Sequence, residues 1–334
     1  MKIREIGEFG LIERIHLKAG RSSYPVVIGI GDDASVLDVG PSNQAVTTTD
    51  MLVEGVHFLK EAIDPFDLGY KSHAVNLSDI AAMGAAPVQS FLSFGLPGDM
   101  DVELIDAFMD GFMKVGSGVC LSGGDTVSSP QGWLISVTVI GIAPTGKVLR
   151  RDAAVPGDSV WLCGPVGDSA AGLSIILGRS KGVSEDNTDY LIKKHNRPVP
   201  QVRMGRILLE TGISSCAIDV SDGLIQDLGH ICECSKVGAE LELERIPLSG
   251  PIKELASAND ADPYAWALKG GEDYSLLFTV KPDNEEKLLK VLEKEEISAV
   301  SIGRIVPEAG IRVFKNGSEI ETGPDGGFDH FRGK

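Results

Sequence analysis

Apolar residues recur at helical spacing in two stretches of this chain. Over 64–84 they fall at Leu68, Ala74, Leu77, Ile80 and Ala81, and over 102–113 at Leu104, Ile105, Phe108, Phe112 and Met113. Stripes of that period predict helices that bury one face. Short apolar runs predict strands over 26–30, 45–49, 89–96, 119–122 and 134–142. Pro144, Gly146, Pro156 and Gly157 then interrupt the pattern around Arg150-Arg151-Asp152. Beyond the break a strand over 159–163 runs into a helix ending near Leu177. Further strands are predicted over 216–219, 239–244, 275–280, 299–305 and 311–314, and a helix carrying Leu224, Ile225 and Leu228. This alternation predicts an α/β or mixed α+β fold in two domains, 1–148 and 149–334.

Between several of these segments, aspartates sit in turns rich in glycine or hydroxyl groups. They are Gly31-Asp32-Asp33-Ala34, Thr47-Thr48-Thr49-Asp50, Gly123-Gly124-Asp125-Thr126 and Asp219-Val220-Ser221-Asp222-Gly223. Each acid alone reads as an ordinary turn residue. Asp222 in particular reads as a cap for the helix that follows it. Four such turns at the ends of strand-like segments, where open sheets bind ligands, predict convergence on one site. Asp79, among Leu77, Ile80 and Ala81, predicts a further carboxylate on a face that is not fully solvated. Mg²⁺ prefers oxygen ligands and leaves coordination positions for phosphates, so the pattern points to phosphate chemistry assisted by metal ions. The paired glycines of Gly270-Gly271-Glu272-Asp273 predict close backbone approach to a ligand.

Charge narrows the partners. The chain has 48 acidic and 31 basic residues, a net charge of -17, and 6% aromatic residues. Without a basic stripe, nucleic acid is not an expected partner. The first ten residues are charged and no apolar run approaches bilayer length, so the expected location is cytoplasmic, without a membrane partner. The five cysteines include no Cys-x-x-Cys and predict reduced thiols, mostly buried.

Several familiar chemistries are excluded. Gly29-Ile30-Gly31-Asp32-Asp33-Ala34 matches a dinucleotide fingerprint, but Gly40-Pro41 follows too soon for the required helix, and two carboxylates would repel a pyrophosphate. There is no P-loop, no Gly-x-Ser-x-Gly elbow and no His-x-x-x-His pair. His57 by itself reads as structural.

Assembled, the residues resemble the thiamine-monophosphate kinase family, of the aminoimidazole ribonucleotide synthetase-like ATP-binding superfamily. The carriers are Gly7-Glu8-Phe9-Gly10-Leu11-Ile12, Ile30-Gly31-Asp32-Asp33-Ala34, Thr48-Thr49-Asp50, Glu54-Gly55-Val56-His57-Phe58, Asn76-Leu77-Ser78-Asp79, Asp219-Val220-Ser221-Asp222-Gly223-Leu224 and Gly270-Gly271-Glu272-Asp273-Tyr274. The resemblance implies transfer of a phosphoryl group from ATP to thiamine monophosphate, and a homodimer whose N-terminal halves pair into a barrel-like interface. It implies magnesium ligation by Asp33, Thr48, Thr49, Asp50, Asp79, Asp125, Asp219 and Asp222. Nucleotide contacts are implied for Gly124, Asp125, Arg151 and Ser221, with Met109 standing where the family often has a tyrosine near adenine. Thiamine phosphate contacts are implied for His57, Glu272 and Phe328, and catalytic roles for Asp50, Asp79, Asp125 and Arg151. One alternative is ATP-dependent activation of selenide or a purine precursor; selenide chemistry wants an early cysteine, and none precedes Cys120. The others are a metal-dependent phosphatase and a non-catalytic metal binder.

Overall fold

The computed structural model describes residues 3–19 and 24–321. In the N-terminal half, helix α1 (Ile3–Ala19) precedes strands β1 (Val26–Ile28), β2 (Ser35–Asp38) and β3 (Asn43–Val53). Helix α2 (Pro65–Ala82), β4 (Ala86–Leu96), α3 (Val102–Val115), β5 (Cys120–Ser128) and β6 (Leu134–Pro144) complete it. The strands form one six-stranded sheet in the order β1-β2-β3-β6-β4-β5. Its pairs are antiparallel except β4 with β5. Alternation along β3, β4 and β6 sends Val46, Leu52, Leu92, Phe94, Ile135, Val137 and Val139 to one face, where α2 and α3 cover them with Leu68, Ile80, Phe108 and Phe112. Along β6 the intervening residues are half-buried or exposed, so this is a one-sided antiparallel sheet.

The C-terminal half runs β7 (Ser159–Leu162), α4 (Asp168–Ile176), α5 (Glu185–Asn196), α6 (Val202–Thr211), β8 (Cys216–Val220) and α7 (Leu224–Ser235). Then come β9 (Gly238–Glu242), α8 (Gly250–Ala258), α9 (Pro263–Lys269), β10 (Ser275–Val280), α10 (Pro282–Glu295), β11 (Val300–Val306), β12 (Gly310–Lys315) and β13 (Ser318–Ile320). The sheet order is β13-β12-β9-β11-β7-β10-β8. Helices cover both faces. Leu224, Leu228 and Ile231 of α7 pack on Ile218, Leu241 and Leu277, while Met204 and Leu208 of α6 and Leu288 of α10 pack on Ala217, Leu276 and Phe278. A strand buried on both sides needs no polar alternation, which is why 275–280 is buried at every position, with an apolar stretch at Leu276-Leu277-Phe278.

Residues 35–38, to which the sequence assigned no element, form β2 and pair with β3, so a strand and not a helix follows Gly31. Two local expectations are corrected. Residues 243–245 leave the strand predicted over 239–244 as a short 3₁₀ turn. Asp222 does not cap α7. The cap position is Gly223, and Asp227 reaches back from inside the helix to accept from the amides of Ser221, Asp222 and Gly223, each at 3.1 Å. A carboxylate one turn into the helix can satisfy three orphan donors at once, and that leaves Asp222 pointing elsewhere. Of the thiols, Cys163, Cys216 and Cys232 are buried, Cys120 and Cys234 are exposed, and all five are free. No helix among the described residues is long and apolar enough to cross a membrane.

Candidate active site

Helix α2 carries the centre of the site. Asp64 opens it by accepting from the Phe66 amide at 2.8 Å, with Pro65 at the first helical position. From Leu68 to Ser78 every residue but Tyr70 is buried, because the sheet flanks α2 on one side and the C-terminal half packs on the other. Its last turns present Asn76, Ser78 and Asp79. Asn76 Oδ1 accepts from the Asp50 amide at 3.1 Å, fixing the end of β3. Ser78 donates to Asp219 Oδ2 at 2.6 Å, across to β8. Thr48 donates to Asp79. Asp33, Asp79 and Asp219 then bring carboxylate oxygens within 4.8 Å of one another.

Arg151, just before β7, enters this group from the C-terminal half. It forms an ion pair with Asp33 and approaches Asp32 at 3.7 Å. Burial disfavours its cation, but Asp33, Asp32 and Asp219 more than offset that and hold its pKa above the usual arginine range. One guanidinium cannot neutralise the whole group. Burial, reinforced by the charge of Asp33, lifts Asp219 to about 7, and burial lifts Asp50 to about 6. Burial and then Asp50, Asp219 and Asp33 push Asp79 well above the usual carboxylate range. Asp33 Oδ2 is buried with no hydrogen-bond partner among the described residues. An unpartnered carboxylate oxygen amid several others, with one cation nearby, is a donor set suited to a hard cation such as Mg²⁺.

Asp50, Asp79 and Asp222 open into a cleft of about 910 Å³ between the two halves. The cleft also exposes Thr49, His57, Ser221 and Glu272, with an apolar wall that includes Leu173, Ile176, Leu177 and Trp266. His57 Nδ1 accepts from the Val53 amide at 3.0 Å, so its ring proton sits on Nε2. Glu54, of the same motif, has a structural task, accepting from the Trp133 amide at 2.9 Å. Glu272 adopts φ +64 and Tyr274 φ +51, a left-handed conformation that residues other than glycine rarely take. The glycines before Glu272 were expected to admit a ligand. Both line the cleft, and they also pack closely on backbone, since a Cβ on Gly271 would overlap the Ser221 carbonyl and one on Gly270 the Trp266 carbonyl.

Asp125, Gly124 and Met109 lie apart from the cleft, and Thr49, although in the cleft, is tied up in the sheet. Asp125 is on the exposed strand β5, opposite Ser93 of β4, and its carboxylate accepts from the Thr126 amide at 2.8 Å. Two strands, β4 and β6, separate it from β3. The glycine at 124 is required by the neighbouring strand, since a Cβ there would overlap the Leu92 carbonyl. The Thr49 side chain bonds within the sheet, to the Val137 carbonyl and Thr138. Met109 is half-buried on α3 against the N-terminal core. Phe328 lies outside the described residues.

The sequence reading passed over Lys71 and His195, both buried against Glu272. Burial first, then the Lys71 cation, holds His195 down at about 4, with Glu272 opposing. An unfolded histidine titrates near ~6.5. The folded chain therefore binds fewer protons between these values, and stability is lost as pH falls through that window. Between pH 7 and pH 5 this amounts to about 2 kcal/mol. We expect His195→Gln to lose correspondingly less stability than the wild type over the same interval, read from urea midpoints; equal losses would show that His195 is not the titrating group.

The chain matches AIR synthase related protein, N-terminal domain, over residues 31–143 and AIR synthase related protein, C-terminal domain, over 155–316. Fold and acid cluster thus define an AIR synthase-related protein. Within that class it is 39% identical over 327 residues to thiamine-monophosphate kinase of Escherichia coli (strain K12), covering 97% of this chain and 98% of that one. Its identity to thiamine-monophosphate kinase of Bacillus subtilis (strain 168) is 34% over 329 residues, 97% and 99% of the two chains. A solved structure described as AaThiL complexed with AMPPCP and TMP superposes with a TM-score of 0.85 at 32% identity, covering 99% of each chain. The chain belongs to the thiamine-monophosphate kinase family.

Proposed function

We propose that this protein transfers the γ-phosphoryl group of ATP to the phosphate of thiamine monophosphate, giving thiamine diphosphate and ADP. The observation that carries the reading is one interdomain cleft with two kinds of wall. Asp50, Asp79 and Asp222 stand on the side of the acid cluster, suited to cation-bound phosphates, and Glu272 stands with an apolar wall suited to a cationic ring system. Kinship to proteins named for this reaction supports it.

In the transfer, an oxygen of the acceptor phosphate bonds to the γ-phosphorus as the bond to the β-phosphate bridging oxygen breaks. A phosphate monoester loses its second proton near about pH 6, so the nucleophile is already an anion and needs no strong base. What the chain must supply is alignment and charge compensation. Arg151 supplies a fixed cation beside the cluster. Mg²⁺ held by Asp33, Asp50, Asp79, Asp219 and Asp222, with Thr48 alongside, would supply neutralisation of the phosphate charges. Glu272 faces the acceptor's cationic part and His57 its polar edge.

We place Gly124, Asp125 and Met109 with the nucleotide end of a homodimer, and Thr49, which lines the cleft beside Asp50, with the metal site. β5 is a nearly fully exposed sheet edge, and exposed Met51, Val127 and Leu134 lie on the same sheet. We take 1–148 and 149–334 as the domains and the cytoplasm as the location, which free thiols suit.

The test is an assay of purified protein with ATP, Mg²⁺ and thiamine monophosphate, with free thiamine as a parallel acceptor. Equal amounts of ADP and thiamine diphosphate from the monophosphate alone are expected. Inorganic phosphate released without ATP would replace the kinase with a phosphatase.

A further inference from the structure

Lys71 is 1% exposed at the middle of α2, a position where an ammonium survives only if its protons are taken up. All three are. Its Nζ lies 3.1 Å from Glu272 Oε1, 3.2 Å from Glu272 Oε2 and 3.3 Å from His195 Nε2. Lysine only donates, so His195 Nε2 must carry a lone pair and its proton belongs on Nδ1, 3.1 Å from Ser169 Oγ. Lys71 comes from the N-terminal half; Glu272, His195 and Ser169 come from the C-terminal half.

We propose that Lys71 is a positioning residue, which reaches across the interdomain cleft and holds the Glu272 carboxylate in the orientation that receives the cationic part of the acceptor. This rests on the kinase reading above. Exposure within the trio is graded. The side chain of Lys71 is 1% exposed and that of His195 7%, while that of Glu272 is 29% exposed. The cation is therefore held behind and the carboxylate presented in front. The main chain of Glu272 is fixed as well, by φ +64 and by donation of its amide to the Ser221 carbonyl at 2.7 Å.

A buried ion pair of this kind is a poor device for stability alone, since an apolar pair of the same volume does as well. It is an effective way to keep a carboxylate charged and aimed. Burial pushes the Glu272 carboxyl up, yet Lys71 from α2, His195 from α5 and His57 from the turn after β3 together hold it below its usual value. The permanently charged thiazolium of a thiamine acceptor is a fitting partner for that carboxylate. The nucleotide needs no contact with it.

The experiment is a double-mutant cycle in steady-state kinetics on the full chain, using Lys71→Met, Glu272→Gln and the pair together. Wild-type turnover is measured first, and a wild type that makes no thiamine diphosphate overturns the kinase reading and this inference with it. In an active enzyme, Lys71→Met is expected to raise KM for thiamine monophosphate about tenfold or more and to leave KM for ATP unchanged. In the Glu272→Gln background, the same substitution should change the acceptor KM less than about twofold, because its route of action is already gone. Additive effects, or equal losses toward ATP and acceptor, would show that Lys71 serves only packing. Should Lys71→Met alone fail to fold, the double variant decides, since it removes both charges together. It is expected to match Glu272→Gln, and a further rise in acceptor KM overturns the proposal.

Discussion

Asp79→Asn is expected to lower turnover about 10³-fold while raising the melting temperature of the metal-free protein. The two effects have one cause. Asp79 sits among Asp33, Asp50 and Asp219, and burial together with those charges makes its ionised form costly. Asparagine keeps an oxygen for the Thr48 hydroxyl, preserves the volume and removes a negative charge from a group served by one arginine. Relief of about 1 kcal/mol raises the melting temperature by about 1–2 °C in a chain of this size. The price is the donor set for Mg²⁺. Saturating metal should stabilise the wild type, by about 2.7 kcal/mol at a hundredfold excess over Kd, and should barely affect the variant. Thermal melts in chelator and in Mg²⁺, beside kcat at saturating substrates, check this. Normal turnover with an unchanged metal response would remove Asp79 from the site.

Much of the fold was legible because the two sheets write their burial into the chain differently. One-sided strands such as β6 alternate, and β10, covered on both faces, is buried throughout and mostly apolar. What escaped was set by small or exposed segments. β2 has one fully buried residue, Val36, and α1 leaves Ile12, Ile15 and Leu17 exposed, so neither carries a decisive stripe. The acids were legible as candidates, not as a constellation. Asp33, Asp79 and Asp219 meet only when α2 docks between β3 and β8, and no local pattern encodes that docking.

Lys71 shows a signal that was present and not used. Residues 71–82 hold three titratable side chains, Lys71, His73 and Asp79, and otherwise small or apolar ones. A helix with no solvated face is buried all round, and a lysine on it must have a partner. Helix α2 is then more than a core element. Lys71, Asn76, Ser78 and Asp79 fall along one helix and address Glu272, Asp50, Asp219 and the acid cluster in turn. Asp67 at its start pairs with Arg197, whose guanidinium also lies 4.7 Å from the Phe66 ring centre. Cleft geometry and interdomain docking are set by the same residues, so substitutions along α2 should move substrate binding and stability together.

Arg151→Met is expected to lower stability and turnover together, and a second substitution then separates them. Its backbone belongs to the C-terminal half, where the Arg151 carbonyl accepts from Ser235 Oγ at 2.9 Å, while its side chain clasps Asp33 in the N-terminal half. Asp33 has 1% of its side chain exposed, so losing the guanidinium strands a buried carboxylate. The expected cost is about 3 kcal/mol or more, a fall of about 4–6 °C in melting temperature, with turnover down about 10²-fold. Adding Asp33→Asn removes the stranded charge and should restore most of the melting temperature without restoring turnover. Thermal melts and kcat of the single and double variants measure this. Turnover of the double variant equal to that of Asp33→Asn alone would mean that Arg151 acts only by holding the halves together, whereas a further loss beyond Asp33→Asn assigns its charge to the phosphoryl transfer itself.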